Sequence, residues 1–204
     1  MAEKKPIIVF DLGGVLIEWG LERLYGQLFN DPAELNWFLS EIVTQTWNAE
    51  MDAGKPVAQA VAERCALFPE QAALIRLFDE RWPETIGNAV AGTVTIFSQL
   101  RAAGYTIHGL SNFSAETMPR IRHRFPFLEW FETLVLSGAE GVIKPDPAIY
   151  QILLERISAE AGDCLFIDDS YPNIVAAREL GFDSIHFHDP TQLAADLRAR
   201  GCPT

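Results

Sequence analysis

The chain has 204 residues, a formal net charge of −12 at pH 7 and a pI near 4.7, which is enough length for one α/β core and a smaller accessory domain. The negative charge disfavours nucleic-acid binding, because that binding relies on a basic surface, and an anionic substrate would need a locally positive site. No apolar run is long enough for a membrane span or a signal-peptide core, so we expect a cytoplasmic protein with neither membrane nor nucleic-acid partners.

The first predicted element is a strand over residues 7–10, where a wholly apolar, β-branched run is typical of a parallel strand buried on both faces. The stretch from about residue 21 to residue 85 has amphipathic helical patterns and no convincing strand. Its candidate helices lie over 21–29, 32–46, 57–68 and 69–81. We therefore predict a small helical cap domain over residues 19–85, called the insertion below, packed on a core made of residues 1–18 and 86–204.

The rest of the chain alternates helical patterns with apolar strands. The helices are predicted over 89–103, 115–124, 147–157 and 174–180, and the strands over 105–110, 133–136, 164–167 and 184–187. Strand and helix repetition of this kind predicts an α/β fold with a doubly wound parallel sheet, a Rossmann-like core.

Polar residues stand directly after the predicted strands, where ligands of an open α/β sheet bind. Those that follow a strand are Asp11, Ser111, Asn112, Asp168 and Asp169, and Lys144 opens a Lys-Pro-Asp-Pro segment after the third core strand. Each of them alone would commonly cap a helix or a turn. Together they predict an active site.

The aspartates of this set predict a cation site, since clustered carboxylates repel one another and oxygen ligands favour a hard ion such as Mg²⁺. Lys144, Ser111 and Asn112 would supply hydrogen-bond donors for phosphoryl oxygens. The carboxylate of Asp11 is then the expected nucleophile, forming an aspartyl-phosphate that water hydrolyses in a second step. The predicted function is a Mg²⁺-dependent hydrolase of a small phosphorylated metabolite.

Four segments resemble, in order, the four motifs of the haloacid dehalogenase-like hydrolases: Phe-Asp-Leu-Gly-Gly-Val-Leu, Leu-Ser-Asn, Lys-Pro-Asp-Pro-Ala-Ile-Tyr and Phe-Ile-Asp-Asp-Ser. The resemblance covers nearly the whole chain, and the insertion resembles the helical cap of the family's first subclass. By position it implies Asp11 as nucleophile, Asp11, the carbonyl of Gly13 and Asp169 as metal ligands, Asp168 as a supporting acid of the metal site, and Ser111, Asn112 and the catalytic Lys144 as phosphate binders.

One departure from the family concerns proton transfer. Most phosphatases of the family carry a second aspartate two residues after the nucleophile, as general acid and base, and here that position is Gly13. A branch that resembles sugar-1-phosphate phosphatases also reads Asp-Leu-Gly, so a sugar phosphate is the preferred substrate class. Glu18 is the nearest spare carboxylate and either takes over proton transfer or is a solvated surface residue. Asn173 stands where many members have another acid, which implies weaker metal binding.

Two alternatives to the phosphatase are a 2-haloacid dehalogenase, whose aspartate displaces halide without a metal, and a catalytically silent binding domain. Tyr150 is compatible with the dehalogenase, whereas the retention of Asp168 and Asp169 favours the phosphatase. In the insertion, Trp47 and Glu50 are candidates to face the cleft. The sequence leaves the substrate and the oligomeric state open.

Overall fold

The structure is a computed structural model that describes residues 5–204, and residues 1–4 of the predicted core lie outside the described residues. The strands in chain order are β1 (Ile7–Phe10), β2 (Ile17–Trp19), β3 (Ile86–Ala89), β4 (Ile107–Ser111), β5 (Thr133–Leu136), β6 (Cys164–Asp168) and β7 (Asp183–His186). The α-helices are α1 (Leu21–Tyr25), α2 (Pro32–Trp37), α3 (Gln45–Asp52), α4 (Val57–Leu67), α5 (Ala72–Glu80), α6 (Ala91–Ala102), α7 (Met118–Ile121), α8 (Ser137–Glu140), α9 (Pro147–Ile157), α10 (Tyr171–Glu179) and α11 (Pro190–Ala199).

Five of these strands form one parallel sheet in the order β5-β4-β1-β6-β7, which confirms the predicted α/β class. Successive side chains of β1 point to opposite faces: Ile8 and Phe10 pack with α6 and α11, and Val9 packs with α9 and α10. Because helices cover both faces, the central strands β1 and β6 are almost wholly apolar and appear in the sequence as continuous hydrophobic runs. None of the helices within residues 5–204 is long and apolar enough to cross a membrane.

Strands β2 and β3, which the sequence did not indicate, pair antiparallel where the chain leaves and re-enters the core. Ile17 lies opposite Ala89, and Trp19 lies opposite Ile86. These strands of three and four residues are too short to show an alternating pattern. They bring both ends of the helical segment to one edge of the active-site cavity described below.

In the insertion, the helix predicted over 57–68 is present as α4, whereas the other three predicted helices are shorter or interrupted. The predicted helix over 32–46 is divided into α2, a π-helical turn over Phe38–Ile42 and the first residues of α3. At the break, the ring of Phe38 packs against Tyr25 and Phe29, with centroid distances of 4.9 and 5.2 Å. Tertiary packing of this kind overrides the helical periodicity of the sequence.

Polar contacts hold the insertion against the core. The backbone N–H of Val57, at the start of α4, donates to Glu116 Oε2 at 3.0 Å. The Arg120 guanidinium lies 2.6 Å from Asp79 Oδ1 at the end of α5. Glu116 and Arg120 both belong to the segment that follows Ser111 and Asn112, which the structure shows as the short helix α7 and a 3₁₀ turn over Arg122–Arg124 instead of the predicted helix over 115–124.

Candidate active site

A cavity of about 780 Å³ opens where β1, β4 and β6 end. In the parallel register, Phe10 of β1 pairs with Gly109 of β4 and with Ile167 of β6, so the residues that follow meet at one edge of the sheet. The cavity is lined by six of the seven residues that the sequence identified, namely Asp11, Gly13, Ser111, Asn112, Lys144 and Asp169. Asp168, the seventh, is fully buried beneath them.

The ammonium group of Lys144 joins two of the acids. Its Nζ lies 3.0 Å from Asp11 Oδ1 and 2.6 Å from Asp168 Oδ2, and it donates to the carbonyl of Leu110 at 2.8 Å. Desolvation alone would lower the pKa of Lys144, but the charges of Asp11 and Asp168 outweigh it and raise that pKa. Lys144 is therefore a buried, charged group beside the Asp11 carboxylate.

Asp11 stands at the bottom of the cavity, and the backbone N–H of Leu12 donates to its Oδ1 at 2.7 Å. Burial raises the pKa of Asp11 to about 7, and the nearby Asp168 and Asp169 add to the rise while Lys144 opposes it. A cation bound at this point would favour the charged, nucleophilic form of Asp11.

Asp168 has both carboxylate oxygens occupied by protein donors. Its Oδ1 accepts from the backbone N–H of Ser170 at 2.8 Å, and the Nδ2 of Asn173 donates to Oδ1 and Oδ2 at 3.0 and 3.1 Å. Together with the contact to Lys144, these bonds make Asp168 the anchor that orients the lysine. An ionised acid in place of Asn173 could not donate to Asp168.

Asp169 differs from Asp168 because its residue is exposed at the mouth of the site. One oxygen from each of Asp11, Asp168 and Asp169 lies within 4.8 Å of the others. Partial desolvation of the carboxylate and the neighbouring charge of Asp168 raise the pKa of Asp169, while the charge of Lys144 opposes the rise. Gly14 leaves room for it, since a Cβ there would overlap Asp169 Oδ2.

Asn112 holds the Lys144 segment in place. Its Nδ2 donates to the carbonyl of Lys144 at 2.9 Å, and its Oδ1 accepts from the backbone N–H of Lys144 at 2.8 Å. Asp146 then caps α9 by accepting from the N–H of Ala148 at 2.9 Å, with Pro147 at the first helical position. Two side chains thus position the Lys-Pro-Asp-Pro segment: Asn112 binds the backbone of Lys144 before Pro145, and Asp146 caps α9 after it.

The position of the family's second aspartate is open space. A Cβ at Gly13 would meet no heavy atom within 4 Å. Glu18 does not line the cavity. Its Oε2 accepts from the backbone N–H of Asn88 at 3.2 Å and lies 3.3 Å from Arg23 Nη1, with 46% of its side chain exposed. The structure thus favours the surface role for Glu18.

The insertion contributes one face of α3 to the cavity, through Gln45, Asn48, Ala49 and Asp52. The expectation that Trp47 and Glu50 face the cleft is wrong. Trp47 is buried, with its ring centroid 4.8 Å from that of Phe78, and Glu50 pairs with Lys55 at 2.7 Å outside the cavity. Helical periodicity carries the signal that was missed, because residues 45, 48, 49 and 52 share one face when Trp47 and Met51 are buried on another.

Apolar side chains also line the cavity. Trp19 and Trp82 line it together with Ile17, Ile86 and Phe113. The ring of Trp82 meets that of Phe113 edge to face, with centroids 5.6 Å apart. Neither tryptophan was predicted to line the cavity, because Trp19 lies in β2 and Trp82 just before β3, and the pairing of these strands was not evident from the sequence.

Comparisons with known proteins agree with this geometry. A family model described as haloacid dehalogenase-like hydrolase matches residues 6–181. Sesquiterpene phosphatase astK of Aspergillus oryzae is 23% identical over 201 residues, which span 93% of this chain and 93% of that protein. Other curated relatives are longer proteins, of which the chain spans only a part.

Solved structures share the fold at low sequence identity. A HAD family enzyme from Bacteroides thetaiotaomicron, in a magnesium complex, has a TM-score of 0.73 and 21% identity, covering 92% of this chain and 95% of that one. L-2-haloacid dehalogenase from Xanthobacter autotrophicus, with chloropropionic acid covalently bound, has a TM-score of 0.63 and 13% identity, covering 98% and 85%. With the family match over residues 6–181, we conclude that this chain belongs to the haloacid dehalogenase-like hydrolases.

Proposed function

We propose that this hydrolase is a Mg²⁺-dependent phosphatase that cleaves a small phosphate monoester through an aspartyl-phosphate on Asp11. The observation that carries the proposal is the contact of Lys144 Nζ with Asp11 Oδ1 at 3.0 Å, beside the exposed Asp169. Phosphoryl transfer to a side chain requires a carboxylate nucleophile, a positive charge beside it and a carboxylate that can bind a cation. Asp11, Lys144 and Asp169 provide these three groups.

The donor set fits a hard cation. The available groups are the carboxylates of Asp11 and Asp169 and the backbone carbonyl of Gly13, and oxygen ligands of this kind suit Mg²⁺. When bound, Mg²⁺ would neutralise charge on the transferring phosphoryl group. Asp168 supports the site indirectly, since its oxygens already accept from Lys144, Ser170 and Asn173.

The chain's own residues perform the remaining steps. The Asp11 carboxylate attacks phosphorus while Lys144 and the Ser111 hydroxyl donate to the phosphoryl oxygens. Asn112 keeps Lys144 in place through its two bonds to the lysine backbone. The apolar side chains of the insertion and of β3 reduce access of water, which strengthens these charged contacts.

The dehalogenase alternative has less support. A metal-free displacement gives no reason to keep Asp168 and Asp169 beside Asp11, where they raise its pKa. Tyr150, which is compatible with that alternative, is buried and donates its hydroxyl to the carbonyl of Asn173 at 2.9 Å. The magnesium complex of the Bacteroides enzyme and the phosphatase activity in the name of the Aspergillus relative both favour the phosphatase.

The substrate class that we propose is a small phosphorylated metabolite, with sugar phosphates preferred. Asn48 and Gln45 offer hydrogen bonds to hydroxyl groups from the insertion side of the cavity. Trp19 and Trp82, which also line the cavity, would stack on the apolar face of a sugar ring or pack against a hydrocarbon chain such as the sesquiterpene in the name of the Aspergillus relative.

The test is a substrate panel of sugar phosphates, terpenyl monophosphates and 2-chloropropionate, with Mg²⁺ or with a chelator. We expect release of phosphate that stops in chelator, returns with Mg²⁺ and is lost in Asp11→Asn. Asp183→Asn is the matched control, because Asp183 pairs with Arg200 at the start of β7, at the opposite edge of the sheet. Halide release at full rate in chelator would establish the dehalogenase instead, and the absence of any turnover would favour the silent domain.

A further inference from the structure

The open space at Gly13 leaves the proposed reaction without its usual proton donor. Among the described residues that line the cavity, the acidic and basic side chains are those of Asp11, Asp52, Lys144 and Asp169. Asp11 is the nucleophile, Lys144 holds it, and Asp169 is the proposed metal ligand. Asp52 of the insertion has no part in these tasks.

Asp52 is the last residue of α3, and its carboxylate is hydrogen-bonded within the helix and lies near the core. Oδ2 accepts from Asn48 Nδ2 at 2.8 Å, and the backbone of Ser114 is close enough to lower the pKa of the carboxyl group. Ser114 is three residues beyond Ser111 in the segment that carries the phosphate-binding donors. The carboxylate of Asp52 therefore lies against the phosphate-binding segment even though it belongs to the insertion.

The main chain at Asp52 is also attached to the core. The Ser137 hydroxyl donates to the carbonyl of Asp52 at 2.5 Å and accepts from the backbone N–H of Phe113 at 2.9 Å. This link fixes the end of α3 against the core independently of the carboxylate. A fixed position at the wall of the cavity is the first requirement of a general acid or base.

The environment of Asp52 also suits proton transfer. Burial raises the pKa of Asp52 from 3.8 to about 7, while the nearby Ser114 backbone acts in the opposite direction. A group with a pKa near the operating pH can both release and accept a proton at useful rates. Within residues 5–204, no lysine or arginine forms an ion pair with the Asp52 carboxylate, so no neighbouring positive charge favours its ionised form.

We infer that Asp52 is the general acid and base of this enzyme, supplied by the insertion in place of the aspartate that is absent at Gly13. This inference rests on the proposed phosphatase function. In the first step, Asp11 forms an O–P bond, the bond between phosphorus and the leaving oxygen breaks with its electron pair on that oxygen, and the Asp52 proton converts it to an alcohol. In the second step, the Asp52 carboxylate takes a proton from water, the water oxygen attacks phosphorus, and phosphate and the Asp11 carboxylate are released.

The test compares two esters with the full-length protein and Mg²⁺. The leaving anion of 4-nitrophenyl phosphate is stabilised and needs little protonation, whereas the alkoxide of glycerol 2-phosphate needs it fully. Since general acid catalysis is typically worth about 10²–10⁴ in rate, Asp52→Asn should lower kcat/KM for glycerol 2-phosphate by at least about 100-fold. The initial burst of 4-nitrophenol should slow by less than about 10-fold.

Two control variants separate proton transfer from positioning. Glu50→Gln changes an acid of the same helix that pairs with Lys55 outside the cavity, and it should leave both rates unchanged. Ser137→Ala removes the hydroxyl that fixes the Asp52 carbonyl without removing the acid, and it should affect both esters alike. A selective loss in Ser137→Ala equal to that in Asp52→Asn would mean that Asp52 acts only by positioning the insertion, and would overturn the inference.

Restoring the family's usual acid gives an independent test, because a side chain at Gly13 would enter open space. Gly13→Asp in the Asp52→Asn background should recover at least about 10-fold of the activity on glycerol 2-phosphate. Gly13→Asp alone, which does not depend on the folding of an Asp52 variant, should change the ratio of the two rates by less than about 10-fold. If Gly13→Asp alone raised kcat/KM for glycerol 2-phosphate by about 100-fold or more, the wild type would lack a general acid, and the inference would be overturned.

The outcomes distinguish this inference from the proposed function. If the wild type hydrolyses neither these esters nor any member of the panel, the phosphatase proposal fails and the inference fails with it. If the wild type is active and Asp52→Asn lowers kcat/KM for glycerol 2-phosphate and the burst rate of 4-nitrophenol by the same factor, the phosphatase proposal stands and Asp52 is not the acid.

Discussion

Asn173 donates hydrogen bonds from Nδ2 to both carboxylate oxygens of Asp168, at 3.0 Å to Oδ1 and 3.1 Å to Oδ2. Many family members have an acid at the position of Asn173. In this protein the Asn173 side-chain amide is instead a hydrogen-bond donor to Asp168. It satisfies a fully buried carboxylate that also holds Lys144. The loss of an acid at this position is thus matched by two hydrogen bonds in the polar network beneath the proposed metal site.

The first prediction is that Asn173→Asp destabilises the protein and that Mg²⁺ offsets part of the loss. The change removes two donors and places a second carboxylate against Asp168, and a hydrogen bond to a charged group contributes about 1.5–3 kcal/mol. Urea unfolding should show a decrease of that size without metal and a smaller one with saturating Mg²⁺. Asn36→Asp, at an exposed position of α2, is the control and should change little. Equal stability of Asn173→Asp and wild type without metal would contradict the structural role of Asn173.

The second prediction concerns two adjacent glycines that differ in backbone conformation and in the space available to a Cβ. Gly14 has φ +73° and a Cβ there would overlap Asp169 Oδ2, whereas a Cβ at Gly13 would meet nothing within 4 Å. Gly14→Ala should therefore lower the free energy of unfolding by at least about 1–2 kcal/mol, the cost of a left-handed backbone for a residue with a Cβ. It should also weaken Mg²⁺ binding by displacing Asp169. Gly13→Ala should alter the unfolding free energy by less than about 0.5 kcal/mol.

Denaturant titrations and Mg²⁺-binding isotherms of the two alanine variants provide the measurement. Each variant serves as the other's control, since both add one methyl group in the same turn. A larger stability loss for Gly13→Ala than for Gly14→Ala would contradict this geometry.

Much of the core could be predicted from the sequence because its strands and helices depend on local patterns. The strands around Asp11 and Asp168 are buried on both faces, so they appear as apolar runs, and the carboxyl ends of parallel strands meet by topology. The presence of the acids, Lys144 and the Ser111 donors at one site followed from those two facts.

The insertion was harder to predict from the sequence, because its helix breaks and helix orientations depend on tertiary contacts. The break at Phe38 arises from packing against Tyr25 and Phe29, and no glycine or proline marks it. The rotation of α3 decides whether Trp47 or Asp52 faces the cavity, and that rotation is set by the burial of Trp47 against Phe78. A tryptophan in a helix beside a cleft is compatible with both orientations.

The last prediction is that the Asp52 carboxylate costs stability above neutral pH. Burial raises the pKa of Asp52 from 3.8 to about 7, so the folded protein binds this proton more tightly than the unfolded chain does. The stability that the proton contributes is fully present below the unfolded pKa of 3.8 and is lost as the pH rises through about 7.

Asp52→Asn, which cannot ionise, lacks this loss. Its unfolding free energy relative to wild type should therefore rise between about pH 4 and about pH 8, by at most a few kcal/mol, since one pKa unit corresponds to about 1.4 kcal/mol. Urea titrations of wild type and Asp52→Asn across that range provide the measurement. A constant difference for Asp52→Asn would show that the carboxylate ionises in the folded protein as it does in the unfolded chain. A rising difference, together with the selective loss on glycerol 2-phosphate, would mean that the protein keeps a destabilising acid in the insertion for the proton that the reaction needs.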